Sequence, residues 1–207
     1  MNIFTLRRFD RWAVNLICIT PAIVLGVLYV IGQLGPDPIM TLERRTGDVA
    51  LIFLVISLLF TPLRIVTGFN RGIKYRRITG LWSFYYAATH FLIFLGLDYG
   101  FDFPLAAQAI VQSQYIWFGL VALFILLTMA ITSTNGWKVR LRKNWRRIHR
   151  FVYLASFLAI VHFGLTLKGN LLPIRGDEFW PLVGLIVWAV LMLIRVPPIR
   201  KLVSRLK

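Results

Sequence analysis

The chain has 207 residues, 58% of them hydrophobic, with 24 Lys and Arg against 8 acidic residues. A mean hydropathy of +0.72 excludes an ordinary soluble domain, which carries far more polar surface. The net charge of +16 would suggest nucleic acid in a soluble chain, but its placement along this sequence argues for membrane lipid instead and against a nucleic-acid partner.

Six apolar stretches approach the ~20 residues that a bilayer crossing requires. They run over 12–31, 48–63, 80–97, 113–133, 149–167 and 179–194. They predict an all-α membrane protein: one domain over 1–207, a bundle of six transmembrane helices. The first stretch holds Cys18, the single cysteine, which reads as a small packing residue. With no Cys-x-x-Cys-His, a covalent c-type haem is excluded. No small-residue cleavage site follows this stretch, so it is expected to remain as a membrane helix. Pro62, at the end of the second stretch, is expected to end or kink its helix. Between the fourth and fifth stretches, Trp137–Arg150 alternates apolar anchors with basic residues and predicts an interfacial helix. No internal repeat is evident.

The charges orient the bundle. The N-terminus, the segment after the second stretch, the segment after the fourth and the tail hold 20 of the 24 Lys and Arg, counting Arg150 at the start of the fifth stretch with the segment before it. The other connections hold Arg44, Arg45, Lys168 and Arg175, together with Asp37, Glu43, Asp48, Asp98, Asp102, Asp177 and Glu178. Positive residues collect on the cytoplasmic side of membrane proteins, so both termini are expected in the cytoplasm. Trp12, Trp82, Trp137 and Trp145 fall near that boundary, and Trp117 and Trp180 near the other, as interfacial aromatic belts do.

The three histidines carry the functional signal. His90 lies in the third stretch, and His149 and His162 at the start and within the fifth. An ionisable residue in a membrane span is a functional candidate by default, and imidazole is the usual axial ligand of b-type haem. With both termini inside, the third and fifth spans run parallel. Counted from their cytoplasmic ends, His90 and His162 then fall at similar depth, which suits one iron between two imidazoles. His149 lies 13 residues before His162, about 20 Å lower and about 140° around an ideal helix. It is either a ligand of a lower cofactor or an interfacial residue. On the third span the matching lower place is Arg76 or Arg77. Arginine has no lone pair to offer iron but suits haem propionates. Intramembrane carboxylate pairs, nucleophile elbows and phosphate loops are absent.

Four segments in order carry a family resemblance: Thr46–Arg64 (ThrGlyAspValAla…ThrProLeuArg), Arg76–His90 (ArgArgIleThrGlyLeuTrp…His), Thr132–Ser133, and His149–His162 (HisArgPheValTyrLeuAla…His). Together they resemble the ferric-reductase-like transmembrane family. More narrowly, they resemble the haem-binding membrane subunits of periplasmic methionine sulfoxide reductase systems. The resemblance covers roughly 47–195. It implies haem b, one or two, and also FMN. It implies a bacterial inner-membrane subunit that passes electrons outward from the quinone pool or a cytoplasmic flavin reductase. The acceptor would be a periplasmic molybdopterin-containing methionine sulfoxide reductase catalytic subunit, and the process repair of oxidised envelope proteins. By position His90, His162 and His149 match the family's haem histidines, and the fourth place falls on Arg76. The flavin and nicotinamide domains of larger relatives are not legible, so an external donor is expected. Rival readings are a cytochrome b subunit for another dehydrogenase, a ferric-chelate reductase, a haem-free transporter with a histidine proton relay, and a scaffold.

Overall fold

The computed structural model describes the backbone of residues 3–168 and 179–205, with side chains over 10–166 and 179–201. Arg175, Asp177 and Glu178, which enter the charge argument, lie outside the described residues. All regular structure among those described is helical. In order these are α1 Ile3–Val30, α2 Pro38–Thr67, a 3-10 segment Asn70–Tyr75, α3 Arg76–Ile93, a π turn Phe94–Asp98, α4 Phe103–Gln112, α5 Gln114–Ile131, α6 Asn135–Ile148, a 3-10 turn His149–Phe151, α7 Val152–Lys168, α8 Phe179–Leu193 and α9 Pro197–Arg205.

Five helical stretches among the described residues are long and apolar enough to cross a membrane: Asp10–Val30, Pro38–Thr67, Asn70–Asp98, Gln114–Ile131 and a window within Asn135–Thr166. The expected sixth span, 179–194, corresponds to α8, whose 15 residues reach only about 22 Å, short of the ~30 Å hydrocarbon core. Large apolar side chains stand outward in a way that water would penalise. Trp12, Leu16, Ile17, Ile23, Val27 and Val30 of α1 are each more than half exposed. Hydrocarbon solvates such a surface at no cost.

The helix ends have local causes. α1 stops at Gly32, whose φ of 69° is the left-handed conformation that closes helices, and Gln33 N–H returns to Leu28 O at 2.9 Å. α2 begins where Asp37 Oδ1 accepts the Met40 N–H at 2.9 Å and Pro38 takes the first helical position, where no N–H is needed. This cap starts α2 ten residues before the expected 48, so Glu43, Arg44, Arg45 and Asp48 ride on its early turns rather than in a loop. Pro62 does not end the helix. It removes one ladder bond, and the next turn re-forms, with Thr67 Oγ1 on Leu63 O at 2.7 Å and Gly68 N–H on Arg64 O at 3.0 Å. The expected interfacial helix is α6, broken at Arg142 by φ 46° and ψ −115°. The fifth span was expected to start at His149; α7 starts at Val152 because a 3-10 turn occupies 149–151. Helix α4 was not expected.

The chain forms two compact units, residues 1–60 with 70–103, and 61–69 with 104–207. In the first, Cys18, Ala50, Phe53 and Tyr86 form a buried cluster with Val14, Ile56 and Trp82 against it. Leu34, Leu42 and Ile93 form another. The Tyr86 hydroxyl accepts the Ala22 N–H at 2.9 Å and donates to Cys18 O at 2.8 Å. These two backbone groups are one regular i to i−4 pair of α1, directly beside Pro21, so the tyrosine bridges a helix ladder that proline has loosened. In the second unit α7 packs along α5 and α8. Trp188 Nε1–H donates to Ser156 Oγ at 2.9 Å, and Ser156 itself is fully buried.

Tyr86→Phe is expected to lower stability by about 1–2 kcal/mol, read as a lower midpoint in detergent unfolding. An unchanged midpoint would show that the bridge contributes nothing.

Candidate functional site

On α3, Thr79, Ser83, Tyr86 and Ile93 are buried, and His90 completes their face at steps of three and four. Across the seam with α2, three polar side chains bond main-chain carbonyls. His90 Nδ1 meets Glu43 O at 2.8 Å, Ser83 Oγ donates to Ala50 O at 2.8 Å, and Ser57 Oγ donates to Arg76 O at 2.9 Å. Positions 43, 50 and 57 thus face 90, 83 and 76. Both helices advance by seven, in opposite directions, which is heptad register.

A helix carbonyl is usually screened from outside. The Cβ of residue i+4 leans toward the helix N-terminus and over the carbonyl of residue i. Glycine at i+4 opens that approach. Gly47 stands four residues after Glu43, and a Cβ on it would lie 3.3 Å from His90 Nδ1 and 3.4 Å from Cε1. Gly80 stands four after Arg76, where a Cβ would lie 3.2 Å from Ser57 Oγ.

The second unit repeats the device. His162 on α7 places Nδ1 2.8 Å from Tyr115 O on α5. Gly119 stands four residues after Tyr115, and a Cβ there would lie 2.9 Å from both Nδ1 and Cε1 of His162. The Tyr115 ring leans on the imidazole with centroids 5.8 Å apart. In both units the histidine lies 47 residues after its carbonyl and 43 after its glycine. A carbonyl only accepts, so the proton of each neutral imidazole sits on Nδ1 and the lone pair on Nε2. That is the tautomer of a metal-ligating histidine, with the other ring nitrogen donating to a backbone carbonyl. Beside each ring is a place that a Cβ would fill. Each of these histidines therefore has the donor chemistry that a haem iron would take. Among the described residues no three His, Cys, Asp or Glu gather as a bare metal ion would need.

The other two predicted residues are held differently. His149 lies in the turn between α6 and α7, so the angle from an ideal helix does not apply to it. Its ring stacks on Trp145 with centroids 4.1 Å apart, and Nε2 lies 3.3 Å from Thr132 Oγ1. Trp145 Nε1–H donates to Thr132 O at 2.9 Å, and Lys138 Nζ lies 5.6 Å from the Trp145 ring centre. Arg76 opens α3, partly buried, 14 residues and about 21 Å before His90. Its carbonyl takes the Ser57 and Thr79 hydroxyls at 2.9 and 3.3 Å. His90 and Arg76 belong to the first unit, His149 and His162 to the second. Sequence reasoning gave none of Glu43, Gly47, Tyr115, Gly119, Thr132 and Trp145 a contact with a histidine. The equal glycine-to-histidine spacing was the available signal.

A family model described as the ferric reductase like transmembrane component matches residues 46–160. The protein-methionine-sulfoxide reductase heme-binding subunit MsrQ of Rhodospirillum rubrum is 37% identical over 196 residues, covering 94% of this chain and 91% of that one. The chain belongs to the ferric-reductase-like transmembrane family, in its MsrQ-type branch. Subunits of the same name from Xanthomonas euvesicatoria and Xanthomonas oryzae are 41% identical over 138 residues, 67% of this chain and 63% of theirs. Membership together with the long apolar helices makes this a multi-pass membrane protein. The family match spans Gly47, Arg76, His90, Gly119 and His149, and the longer alignment adds length on either side.

Trp145→Leu removes the stack on His149 and leaves the buried Thr132 carbonyl without the indole N–H. The expected loss is about 1 kcal/mol or more, which should speed tryptic cleavage within 138–147 about fivefold. Cleavage at the wild-type rate would show that the indole does not hold this turn.

Proposed function

We propose that this chain is a b-type haem electron-transfer subunit of a membrane methionine sulfoxide reductase system. The observation that carries the reading is the pair of histidines, each with Nδ1 anchored to a main-chain carbonyl, in a chain of this family. The heme-binding role in the names of the relatives supports it. Electrons would enter from the quinone pool or a cytoplasmic flavin reductase. They would leave to a periplasmic molybdopterin-containing catalytic subunit, where methionine sulfoxide is reduced. This chain would carry no catalytic residue of that reaction. FMN is implied by the resemblance, and no residue here is assigned to it.

His90 and His162 are proposed as the residues that would hold haem iron. Haem, when bound, supplies reversible one-electron chemistry. The carbonyls of Glu43 and Tyr115 hold the Nδ1 protons and so direct each Nε2 lone pair toward a metal. The apolar helices exclude water, which is one lever on haem potential. His149 is proposed as a ligand or close neighbour of a lower cofactor. Arg76, always protonated, would neutralise propionates. A proton relay needs imidazoles that exchange partners, whereas anchoring at Nδ1 favours ligation.

The proposed architecture is one domain of six spans with both termini cytoplasmic, in the bacterial inner membrane. α8 would cross with its flanking residues included. A green fluorescent reporter fused at the C-terminus should fluoresce, and a phosphatase active only in the periplasm should be inactive there; the reverse pattern would overturn the cytoplasmic C-terminus.

The direct test is a reduced-minus-oxidised absorbance spectrum of the purified protein, with haem quantified as the pyridine complex. A low-spin b-type spectrum is expected. His90→Ala and His162→Ala should each lose most of it, and Arg76→Ala should keep it. Full low-spin haem in both histidine variants would overturn the ligand assignment.

A further inference from the structure

We propose that Gly119, and more weakly Gly47, are positioning residues that fix the imidazole plane and Nδ1 hydrogen bond of His162 and His90. This rests on the haem reading for its electronic consequence, though not for its geometry.

Gly80 and Gly96 are also crowded, by Ser57 Oγ at 3.2 Å and by the Phe101 ring at 2.9 Å, but among the described glycines it is at Gly47 and Gly119 that a Cβ would meet an imidazole. A Cβ on Gly26 or Gly136 would meet nothing within 4 Å, and one on Gly184 would make only ordinary contact with Ile160 at 3.5 Å. At Gly119 the Cβ would lie 2.9 Å from two ring atoms, closer than real Cβ atoms come, and 3.2 Å from Cγ. The ring cannot yield easily, because Nδ1 is tied to Tyr115 O at 2.8 Å and the Tyr115 ring lies alongside. At Gly47 the nearest ring atom is 3.3 Å away, so a shift of a few tenths of an ångström suffices. The bond at stake comes from the main chain, and no side-chain deletion at Tyr115 or Glu43 can remove it. A methyl group on the glycine is the substitution that reaches it.

The consequence at a bound iron follows from ligand basicity. An imidazole that donates Nδ1–H to a carbonyl is a stronger donor and favours the oxidised metal. Pushing the ring off the carbonyl weakens that donation and raises the potential. It also turns the imidazole plane, which the low-spin electron paramagnetic resonance spectrum reads directly.

The test has two arms on the full chain. First, the protein with 15N-labelled histidine is prepared without haem and its ring nitrogens are observed by NMR; three histidines make assignment by single substitutions practicable. His162 is expected as the Nδ1–H tautomer in the wild type and as a mixture in Gly119→Ala, with a smaller change at His90 in Gly47→Ala and none in Gly26→Ala. Second, haem-loaded protein is titrated and its resonance spectrum recorded. Gly119→Ala is expected to favour reduction about tenfold, or ~59 mV for one electron, with a displaced low-spin signal. An unmoved tautomer, spectrum and potential in Gly119→Ala would overturn the proposal. Failure of Gly119→Ala to fold passes the decision to Gly47→Ala, where an unmoved His90 signal would likewise overturn it. A wild type that takes up no haem overturns the proposed function, while the haem-free arm still decides the positioning role.

Discussion

A polar side chain in hydrocarbon must find its partner within the protein. In this chain the partner between helices is most often a main-chain carbonyl. Ser57, Ser83 and His90 all end on one across the α2–α3 seam, Tyr86 on one of α1, and His162 on one of α5. A carbonyl already accepting its helical N–H has a second lone pair, so these bonds do not unwind the helix that provides them. The placement of the candidate ligands depends on this spare capacity.

The same requirement explains the register. Hydrocarbon gives no hydrophobic drive between helices, so polar bonds and close packing select the alignment. On α2 and α3 the bonds recur every seven residues. A one-residue slip would turn the polar groups by about 100° and break all of them together. Small residues allow the backbone approach: Gly47 and Gly80 on this seam, Gly119 on the other. Alignment of the helices and orientation of the imidazoles are therefore one problem with one solution.

Much of this was legible in the sequence, and the losses have physical causes. The long helices follow from apolar stretches, and the histidines from their rarity in such stretches. The start of α2 was misplaced because charged residues 43–48 looked like a loop, whereas the Asp37 cap and Pro38 propagate helix straight through them. Pro62 was expected to end or kink its helix; it does not end it, because one missing N–H is a local loss that the following turn repairs. The start of α7 was misplaced because a 3-10 turn leaves no mark on hydropathy. The carbonyls of Glu43 and Tyr115 could not be foreseen from side-chain type, because a backbone acceptor is present at every residue. What singles them out is the absence of a Cβ four positions later, a feature visible as Gly47 and Gly119 only once each histidine is known to reach across.

The choice of backbone acceptor shapes how this protein can vary. A ligand held by an aspartate or asparagine can be lost through any substitution of that residue. A histidine held by a carbonyl keeps that acceptor through nearly every side-chain change at positions 43 and 115, although a change at 115 would still take away the ring beside His162. The sensitive positions are instead two glycines, where even the smallest possible addition, one methyl group, meets the imidazole, at 2.9 Å from Gly119 and at a more easily relieved 3.3 Å from Gly47.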